Sequence, residues 1–345
     1  MQVDYIIVGL GLAGLAFTKE LTENKQSFIV YEDDSQNSSS VAGGMYNPVI
    51  LKRFTPVWDA VNQLNIAIPF YNDLEMKFKK KYHYHLDIYR LFKSVEEQNN
   101  WFEACDKPML SKFMVPKLIT KKFIGIHAKY GFGKLTKTGR IDTKNLLKDY
   151  RNNLAEKGLI KNESFIYNDV EIQDNSVSYN EINALKIVFC EGFGLKENPF
   201  FNYLPMQEVK GELLTIHALE LDIKFLIKAA VFVLPLGNNL FKVGATFNWN
   251  DKTKSPTKEG RRELISKLDS IISTPYKIVD HTAGIRPTVK DRRPLVGKHP
   301  IYQNLAVLNG LGTRGVMIAP FVAKTLYNHL EKKQPLPKEI SISRF

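Results

Sequence analysis

The chain of 345 residues is long enough to bury a large core, and its length predicts two domains or one elaborated α/β domain. A hydrophobic fraction of 44% and a charged fraction of 24% indicate a globular rather than a disordered protein. The net charge of +12 fits a lysine-rich solvated surface, which charge alone favours, or an anionic macromolecule such as RNA as partner.

We expect no targeting or membrane segment. The first apolar run, residues 3–8, contains Asp4 and is followed by no small-residue cleavage site, so it lacks the pattern of a signal peptide. No run of about eighteen apolar residues, enough to span a membrane, occurs. Cys105 and Cys190 are the only cysteines, which fits a reducing compartment and excludes a cysteine zinc site. These features predict a cytoplasmic protein without membrane contact.

The first 32 residues contain two predicted strands joined by a glycine-rich turn and a helix. The run 3–8 leads into Gly9-Leu10-Gly11-Leu12-Ala13-Gly14, and residues 15–22 have helical apolar spacing. A second strand, residues 27–31, ends at Glu32, about twenty residues beyond the glycines, where a dinucleotide-binding βαβ unit has its ribose-binding acid. The segment therefore predicts a dinucleotide site, but it does not separate FAD from NAD.

Each glycine of this turn meets a physical requirement. Gly9 permits the tight turn, Gly11 lets backbone N–H groups approach a pyrophosphate, and Gly14 allows close packing of helix and strand. The helix N-terminus offers unpaired donors to the phosphates. The Glu32 carboxylate accepts from both ribose hydroxyls and repels a 2′-phosphate, which disfavours NADP.

The next stretch predicts a loop, a helix and part of a second domain. Residues 38–48 have the small-residue composition of a segment that passes close to a ligand, or of a plain surface loop. A helix over 57–78 ends in the basic cluster 77–81, and a second helix covers 96–104. Residues 124–128 predict a strand.

Two histidines lie in a predicted strand of this second domain. Residues 83–91 alternate like a half-buried strand, which places His83 and His85 on one face, as metal ligands are placed. No third ligand has a recognisable spacing. We therefore interpret the two as a pair of exposed histidines and predict no metal site.

The chain then returns to the nucleotide domain and leaves it again. Residues 139–143 begin a helix over 144–157, and the continuous apolar run 185–190 predicts a strand of a parallel sheet covered on both faces. Three further runs predict strands of an antiparallel sheet, with a hairpin at Gly237-Asn238-Asn239: residues 209–216, 230–236 and 240–247. An amphipathic helix over 257–272 is predicted to cover one face of that sheet.

A second strand, glycine-rich turn and helix lie at the C-terminal end. After the block 283–297, a strand over 305–309 leads to Gly310-Leu311-Gly312-Thr313-Arg314-Gly315-Val316-Met317 and to a helix over 319–330. The N-terminus of that helix is placed to direct backbone donors at an electron-rich ring edge or a developing anion.

With both ends considered, the chain resembles the D-amino-acid oxidase superfamily of flavoproteins, particularly glycine oxidase. The resemblance rests on motifs that occur in the family's order over nearly the whole length: the N-terminal glycines with Glu32, Ala42-Gly43-Gly44-Met45, Gly139-Arg140-Ile141-Asp142, Lys210-Gly211-Glu212, Leu234-Pro235 with Val243-Gly244-Ala245-Thr246, Ala283-Gly284-Ile285-Arg286-Pro287, and residues 310–320. It implies non-covalent FAD rather than NAD, since neither cysteine occupies a recognised attachment position. Within the superfamily, two segments are most similar to a different relative: Gly44-Met45-Tyr46-Asn47-Pro48 and residues 312–316. This relative is the oxidase half of the bifunctional bacterial enzyme that removes carboxymethyl from carboxymethylaminomethyl-uridine in tRNA. The methyltransferase half of that enzyme is absent from this chain.

The resemblance also implies an architecture. We expect an α/β fold with a Rossmann-like FAD-binding domain built from residues 1–75, 136–206 and 283–345. Residues 76–135 and 207–282 are expected to form an α+β substrate domain with a mixed or antiparallel sheet.

The implied chemistry is removal of a hydride from the carbon next to an amine, after which water hydrolyses the imine. In the family, the arginine of the Gly-Ile-Arg-Pro motif, here Arg286, pairs with the substrate carboxylate; a structural ion pair is the alternative. Arg314 lies in the C-terminal turn that the family packs against the flavin ring, so the resemblance implies that it either helps to bind substrate or braces this turn. Phe232 stands where glycine oxidase has a tyrosine, so glycine is not specified. The predicted FAD contacts are Gly9, Gly11, Leu12, Ala13, Gly14, Glu32, Gly43, Gly44, Met45, Gly192, Gly284, Arg286, Gly310, Gly312, Thr313, Arg314, Gly315 and Val316.

Three functions follow from these predictions. The preferred one is an FAD-dependent oxidoreductase of a small amino acid or secondary amine that carries a carboxylate. The second is a tRNA-modifying oxidase with the same chemistry and with RNA contacts in the lysine-rich segments 77–81 and 117–122. The third is a flavin-binding protein without amine turnover. The oligomeric state is not predicted.

Overall fold

The computed structural model describes residues 1–35 and 38–345. The strands in chain order are β1 (Gln2–Val8), β2 (Phe28–Tyr31), β3 (Met45–Tyr46), β4 (Val49–Ile50), β5 (Thr55–Pro56), β6 (His83–His85), β7 (Ile88–Leu91), β8 (Met114–Ile119), β9 (Phe132–Leu135), β10 (Gly139–Ile141), β11 (Ile160–Lys161), β12 (Val170–Ile172), β13 (Val177–Tyr179), β14 (Ile182–Phe189), β15 (Met206–His217), β16 (Leu226–Lys228), β17 (Phe232–Gly237), β18 (Leu240–Gly244), β19 (Lys277–Val289), β20 (Leu295–Lys298) and β21 (Leu305–Asn309). The helices are α1 (Leu12–Glu23), α2 (Ser38–Val41), α3 (Ala60–Phe78), α4 (Val95–Cys105), α5 (Thr143–Glu156), α6 (Lys258–Asp269) and α7 (Gly315–Lys332).

The first large sheet is the predicted Rossmann-like sheet, with strand order β11-β2-β1-β14-β13-β12 and with β21 and β20 beyond β14. Strands β2, β1, β14 and β21 are parallel, and Ile7 lies opposite both Val30 and Val188. The paired central parts of these strands are mostly apolar, as expected where both faces of a parallel sheet are covered. The predicted return of the chain to this sheet at residues 185–190 is confirmed.

Helices from both ends of the chain cover one face of this sheet. Helix α1 follows β1, α7 follows β21, and each packs with the core that also contains α3. The Tyr71 hydroxyl of α3 donates a hydrogen bond of 2.8 Å to the carbonyl oxygen of Val316 in the first turn of α7. The two termini are therefore parts of one packed layer.

The second large sheet has the strand order β19-β15-β18-β17-β16-β7-β9-β8. Its pairs are antiparallel except β16 with β7, so the expected sheet is of the mixed kind. The predicted hairpin joins β17 to β18, and buried Leu264 and Leu268 of α6 pack against this sheet. Strand β19 crosses the domain boundary proposed at residue 283 and pairs with β15 along its whole length. The division into domains remains a proposal.

The structure corrects two predicted strands. Residues 83–91 form two strands rather than one: β6 pairs with β10 in a small sheet, whereas β7 lies in the second large sheet. The predicted strand over 124–128 is wrong, because it is a turn with an isolated bridge between Ile126 and Ile272. Gly125 has a φ of +73°, which interrupts an extended strand.

The prediction of an exposed histidine pair is also wrong for His83, whose exposed fraction is 1%. Its ring nitrogens bond the Tyr46 hydroxyl at 2.8 Å and the Asn72 amide oxygen at 3.1 Å. Burial and the neighbouring His85 lower the pKa of His83 to about 4, so its ring is neutral at physiological pH. Alternation does not reveal a partner such as Tyr46, which is distant in sequence.

In the part of the chain that the structure describes, no helix is long and apolar enough to cross a membrane. Among the same residues, no group of three or more potential metal-ligating side chains occurs.

Candidate functional site

A cavity of about 370 Å³ lies between the two large sheets, within the size range of small-molecule and cofactor sites. Its wall combines residues after the carboxyl ends of β1 and β14 with residues from β15, β16, β17 and β19. The crevice beyond adjacent parallel strands is where open α/β sheets bind ligands. Gly9 and Gly312, from opposite ends of the chain, line the same cavity.

Most of the predicted FAD contacts lie in this wall. They are Gly9, Gly11, Leu12, Ala13, Glu32, Gly43, Gly44, Met45, Gly192, Gly284, Arg286, Gly312, Thr313, Arg314, Gly315 and Val316. Gly14 and Gly310 lie outside the wall. A Cβ on Gly14 would be 2.0 Å from the Gly9 oxygen, and Gly310 has a φ of +69°. These two glycines shape the backbone behind the cavity.

The N-terminus of α1 opens onto the cavity. Gly11 is its N-cap and supplies no side-chain acceptor, so the first-turn N–H groups depend on other partners. The Leu12 N–H donates to the Ser39 hydroxyl at 3.2 Å. The positive end of this helix is therefore suited to a pyrophosphate, as the glycine spacing predicts.

Glu32 lies at the end of β2 with its carboxylate buried. It accepts hydrogen bonds from the Leu10 N–H and, at 3.2 Å, from the Asp34 N–H, and it pairs with Arg151 at 3.2 Å. Burial raises the pKa of Glu32, whereas the Leu10 N–H and the Arg151 charge lower it. Sequence reasoning missed Arg151, which α5 brings to this acid from more than a hundred residues away.

We expect Glu32→Gln to weaken FAD binding about tenfold or more, because a hydrogen bond to a charged group contributes about 1.5–3 kcal/mol. Titration of the apoprotein with FAD, followed by flavin fluorescence, measures the change. Asp34→Asn is the matched control, because Asp34 also pairs with Arg151. Equal losses in both variants would assign the effect to Arg151 and contradict a role for Glu32 in binding ribose.

Glu191 is a second buried acid in the wall, and sequence reasoning missed it. It accepts hydrogen bonds from the Tyr167 hydroxyl and, at 2.8 Å, from the Asn198 amide. Burial raises the pKa of Glu191 to about 7. Its chain neighbour Cys190 also lines the cavity, and burial raises the pKa of that thiol as well, which keeps it protonated. A neutral thiol suits the proposed non-covalent FAD.

The C-terminal turn meets α1 inside the cavity wall. A Cβ on Gly315 would lie 3.2 Å from the Leu12 side chain, so the first turns of α7 and α1 are in close contact. Arg314 is the N-cap of α7 and supplies no side-chain cap. Burial, and then the charges of Arg292 and Arg293, lower the pKa of Arg314.

Arg286 extends from β19 across β15 into the cavity. A Cβ on Gly211 would lie 1.9 Å from its guanidinium, so this glycine of the neighbouring strand β15 makes room for the side chain. The guanidinium donates to the Thr246 carbonyl oxygen at 3.3 Å and lies 4.5 Å from the Phe247 ring centroid. Burial lowers the pKa of Arg286 to about 10. Within residues 1–35 and 38–345 it forms no ion pair, so the structural ion pair considered above is not found.

Three features of this cavity define a dinucleotide-binding fold: a glycine turn after a parallel strand, a buried acid after the next strand, and a second helix N-terminus. The comparison with known families makes the class specific. The chain belongs to the family of FAD-dependent oxidoreductases, whose sequence model matches residues 4–328.

Individual relatives are distant. The tRNA 5-methylaminomethyl-2-thiouridine biosynthesis bifunctional protein MnmC of Idiomarina loihiensis is 28% identical over 155 residues, which is 42% of this chain and 25% of that protein. Glycine oxidase of Bacillus subtilis is 24% identical over 148 residues, 41% of this chain and 40% of that protein. The crystal structure of glycine oxidase from Bacillus cereus superposes with a TM-score of 0.76 at 19% identity, over 96% of both chains, which shows a shared fold. The matched segment therefore spans less than half the length of either curated relative.

The residues present fit FAD. A Cβ on Gly9 would approach the Cys190 carbonyl oxygen to 2.7 Å and one on Gly14 the Gly9 oxygen to 2.0 Å, so the turn has the compact form that phosphate binding requires. We propose that the α1 N-terminus holds the pyrophosphate and Glu32 the ribose. The α7 N-terminus is proposed to face the flavin ring.

Proposed function

We propose that this FAD-dependent oxidoreductase oxidises the C–N bond of a small amino acid or secondary amine that carries a carboxylate. The observation that supports this most directly is Arg286, a guanidinium in the cavity wall whose fork has no acidic partner in the described chain. An unpaired, half-buried cation is costly, and a planar guanidinium matches a carboxylate with two parallel hydrogen bonds.

The side chains around Arg286 suit amine chemistry. FAD held by the α1 N-terminus and Glu32 would supply a hydride acceptor for the substrate carbon next to nitrogen, and water would hydrolyse the resulting imine. Leu213 and Phe232 form buried apolar parts of the wall and limit access of water. The positive charges of Arg286 and Arg314 disfavour the ammonium form of a bound amine, so the neutral amine needed for hydride loss is favoured.

The relatives support the same substrate class. The Bacillus subtilis relative is a glycine oxidase by name, and one fold relative is an iminodiacetate oxidase from Chelativorans. Both names specify amines that carry a carboxylate. We propose that this property, rather than a particular amino acid, is shared with this chain.

Anaerobic reduction of the bound flavin tests this proposal. We expect sarcosine, glycine and other carboxylated amines to bleach the flavin absorbance, because Arg286 holds their carboxylate. Sarcosine amide is the matched control: it has the same amine but no charge for Arg286, and a loss of about tenfold or more in apparent affinity is expected. Absence of bleaching by every carboxylated amine would overturn the proposal.

A second candidate, a tRNA-modifying oxidase, is supported by a separate feature. A cleft of about 750 Å³ is lined by lysines with exposed side chains, which are Lys93, Lys121, Lys122 and Lys129. The described part of its wall contains no acidic residue, and the partly exposed Phe123 lies among the lysines. Lysines beside an aromatic ring suit a nucleic-acid backbone and its bases. The predicted segment 117–122 thus contributes to the cleft, whereas 77–81 does not.

The cleft and the main cavity share one chain segment: Lys228 lines the cavity and its chain neighbour Ala229 lines the cleft. We propose that, in this alternative, a modified uridine enters the cavity while the cleft binds its phosphates, as the name of the MnmC relatives suggests.

Salt dependence of tRNA binding tests the second candidate. We expect Lys121→Glu/Lys122→Glu to weaken binding and to reduce the slope of log affinity against log salt by about two, roughly one per lost phosphate contact. Lys332→Glu/Lys333→Glu, an exposed pair at the end of α7, is the matched control. No binding of undermodified tRNA at low salt, or equal effects of both pairs, would count against this function.

A further inference from the structure

The acidic and basic residues in the wall of the main cavity differ in whether they have partners. Its acidic wall residues in the described chain are Glu32 and Glu191, and both have hydrogen-bond donors within the protein. The basic residues in the wall are Lys52, Lys228, Arg286 and Arg314. None of these four forms an ion pair within the described ranges.

We propose that Lys228 binds a second anionic group of the substrate, so that the site selects amines that carry two acidic groups. This inference rests on the proposed oxidation of carboxylated amines and specifies the class of amine. Sequence reasoning missed Lys228, because no motif marks it. Tertiary structure places it in the same cavity as Arg286.

Lys228 is positioned by three strands. It ends β16, where it lies opposite Arg90 of β7 and Phe232 of β17. Its ammonium lies 5.2 Å from the Phe232 ring centroid. Arg90 has its own partner, Glu97, at 2.5 Å, but the Lys228 ammonium has no hydrogen-bond acceptor or ion pair in the described structure. The Lys228 ammonium, which no acidic group of the described chain neutralises, therefore faces the cavity.

The surroundings of Lys228 disfavour its charge unless an anion is present. Burial, and then the charges of Arg90, Arg286 and Arg314, lower its pKa to about 8. The ammonium is thus mainly charged at neutral pH although its neighbours repel it. A bound anion would remove this repulsion, and fixed cations of this kind bind anions without paying for reorganisation.

One carboxylate does not use both cations. Arg286 presents a planar fork that one carboxylate occupies, whereas Lys228 is a compact point charge on a separate strand. A substrate with a second carboxylate, as in an N-carboxymethyl amino acid, supplies an anion for each. Such a dianion would be held at two points, which also orients the C–N bond between them.

The test compares sarcosine, which has one carboxylate, with iminodiacetate, which has two, in anaerobic flavin reduction by the holoenzyme. We expect iminodiacetate to have the lower apparent Kd. Lys228→Met should raise that Kd about ten- to hundredfold, because one charge-assisted contact is lost, and should raise the Kd for sarcosine by a much smaller factor. Lys228→Arg should restore most of the preference. Lys224→Met, an exposed lysine on the approach to β16, is the control.

A binding measurement separates this inference from the proposed function. Malonate and acetate are compared as unreactive ligands by the perturbation of the flavin spectrum, with flavin content and Tm as checks on folding. If no amine reduces the flavin but malonate binds more tightly than acetate in a Lys228-dependent way, the proposed function fails and the anion site stands. If sarcosine reduces the flavin and Lys228→Met affects both substrates equally or neither, the inference about Lys228 is overturned.

Discussion

Replacement of Arg286 by methionine is expected to lower kcat/KM for carboxylated amines about 10²- to 10³-fold. The methionine keeps much of the apolar stem but removes the guanidinium proposed to hold the carboxylate that all these amines share, and truncating one partner of a buried charged pair costs about 2–5 kcal/mol. Anaerobic stopped-flow reduction of the flavin gives the rate and the apparent Kd separately. Flavin content is measured in parallel, because Arg286 is also predicted to contact FAD.

Two further variants make this result interpretable. Arg286→Lys keeps the charge but loses the planar fork, so an intermediate loss is expected. Arg262→Met removes an exposed arginine of α6 and should leave the kinetics unchanged. Unaltered reduction rates in Arg286→Met would contradict the proposed role of Arg286 in holding the substrate carboxylate. Absence of flavin reduction by carboxylated amines in the unsubstituted protein would favour a flavin-binding protein without amine turnover. Loss of FAD in Arg286→Met would instead assign Arg286 to the cofactor.

Gly14→Val is expected to abolish FAD retention and to lower the free energy of unfolding by about 3 kcal/mol or more. A Cβ at this position would lie 2.0 Å from the Gly9 carbonyl oxygen, a backbone atom that cannot rotate away. Helix α1 would have to move off β1, and overpacking of this kind costs about 1–3 kcal/mol before the larger valine methyls are counted. Purified protein should be colourless, and the fall in Tm measures the loss of stability.

The control for Gly14→Val lies on the same helix. Thr22→Val introduces valine at an exposed position of α1, where it tests helix propensity without a collision. We expect this control to keep its FAD and to change Tm by only a few degrees. A Gly14→Val protein that remains yellow and stable would contradict the tight turn on which the proposed pyrophosphate site depends.

The predictions that proved correct rest on local sequence patterns. A few neighbouring residues are enough to predict each of three features: the glycine-rich turn at 9–14, the strand at 185–190 and the hairpin at 237–239. A glycine-rich turn needs no distant partner to be recognised, because backbone geometry and helix polarity are local properties. For the same reason the family, FAD and the α/β class could be inferred before any contact was known.

Other features depended on residues distant in sequence. Burial of His83 follows from its contacts with Tyr46 and Asn72, and alternation within its own strand does not encode them. Arg151 reaches Glu32, and Lys228 enters the cavity of Arg286, only through the packing of separate helices and strands.

The amino-acid order thus specified where the chain turns, which elements form and which cofactor class they suit, since each is encoded over a few residues. The charge balance of the cavity came from the fold. It depends on which side chains meet there and on which of them lack partners, and non-local packing alone sets both.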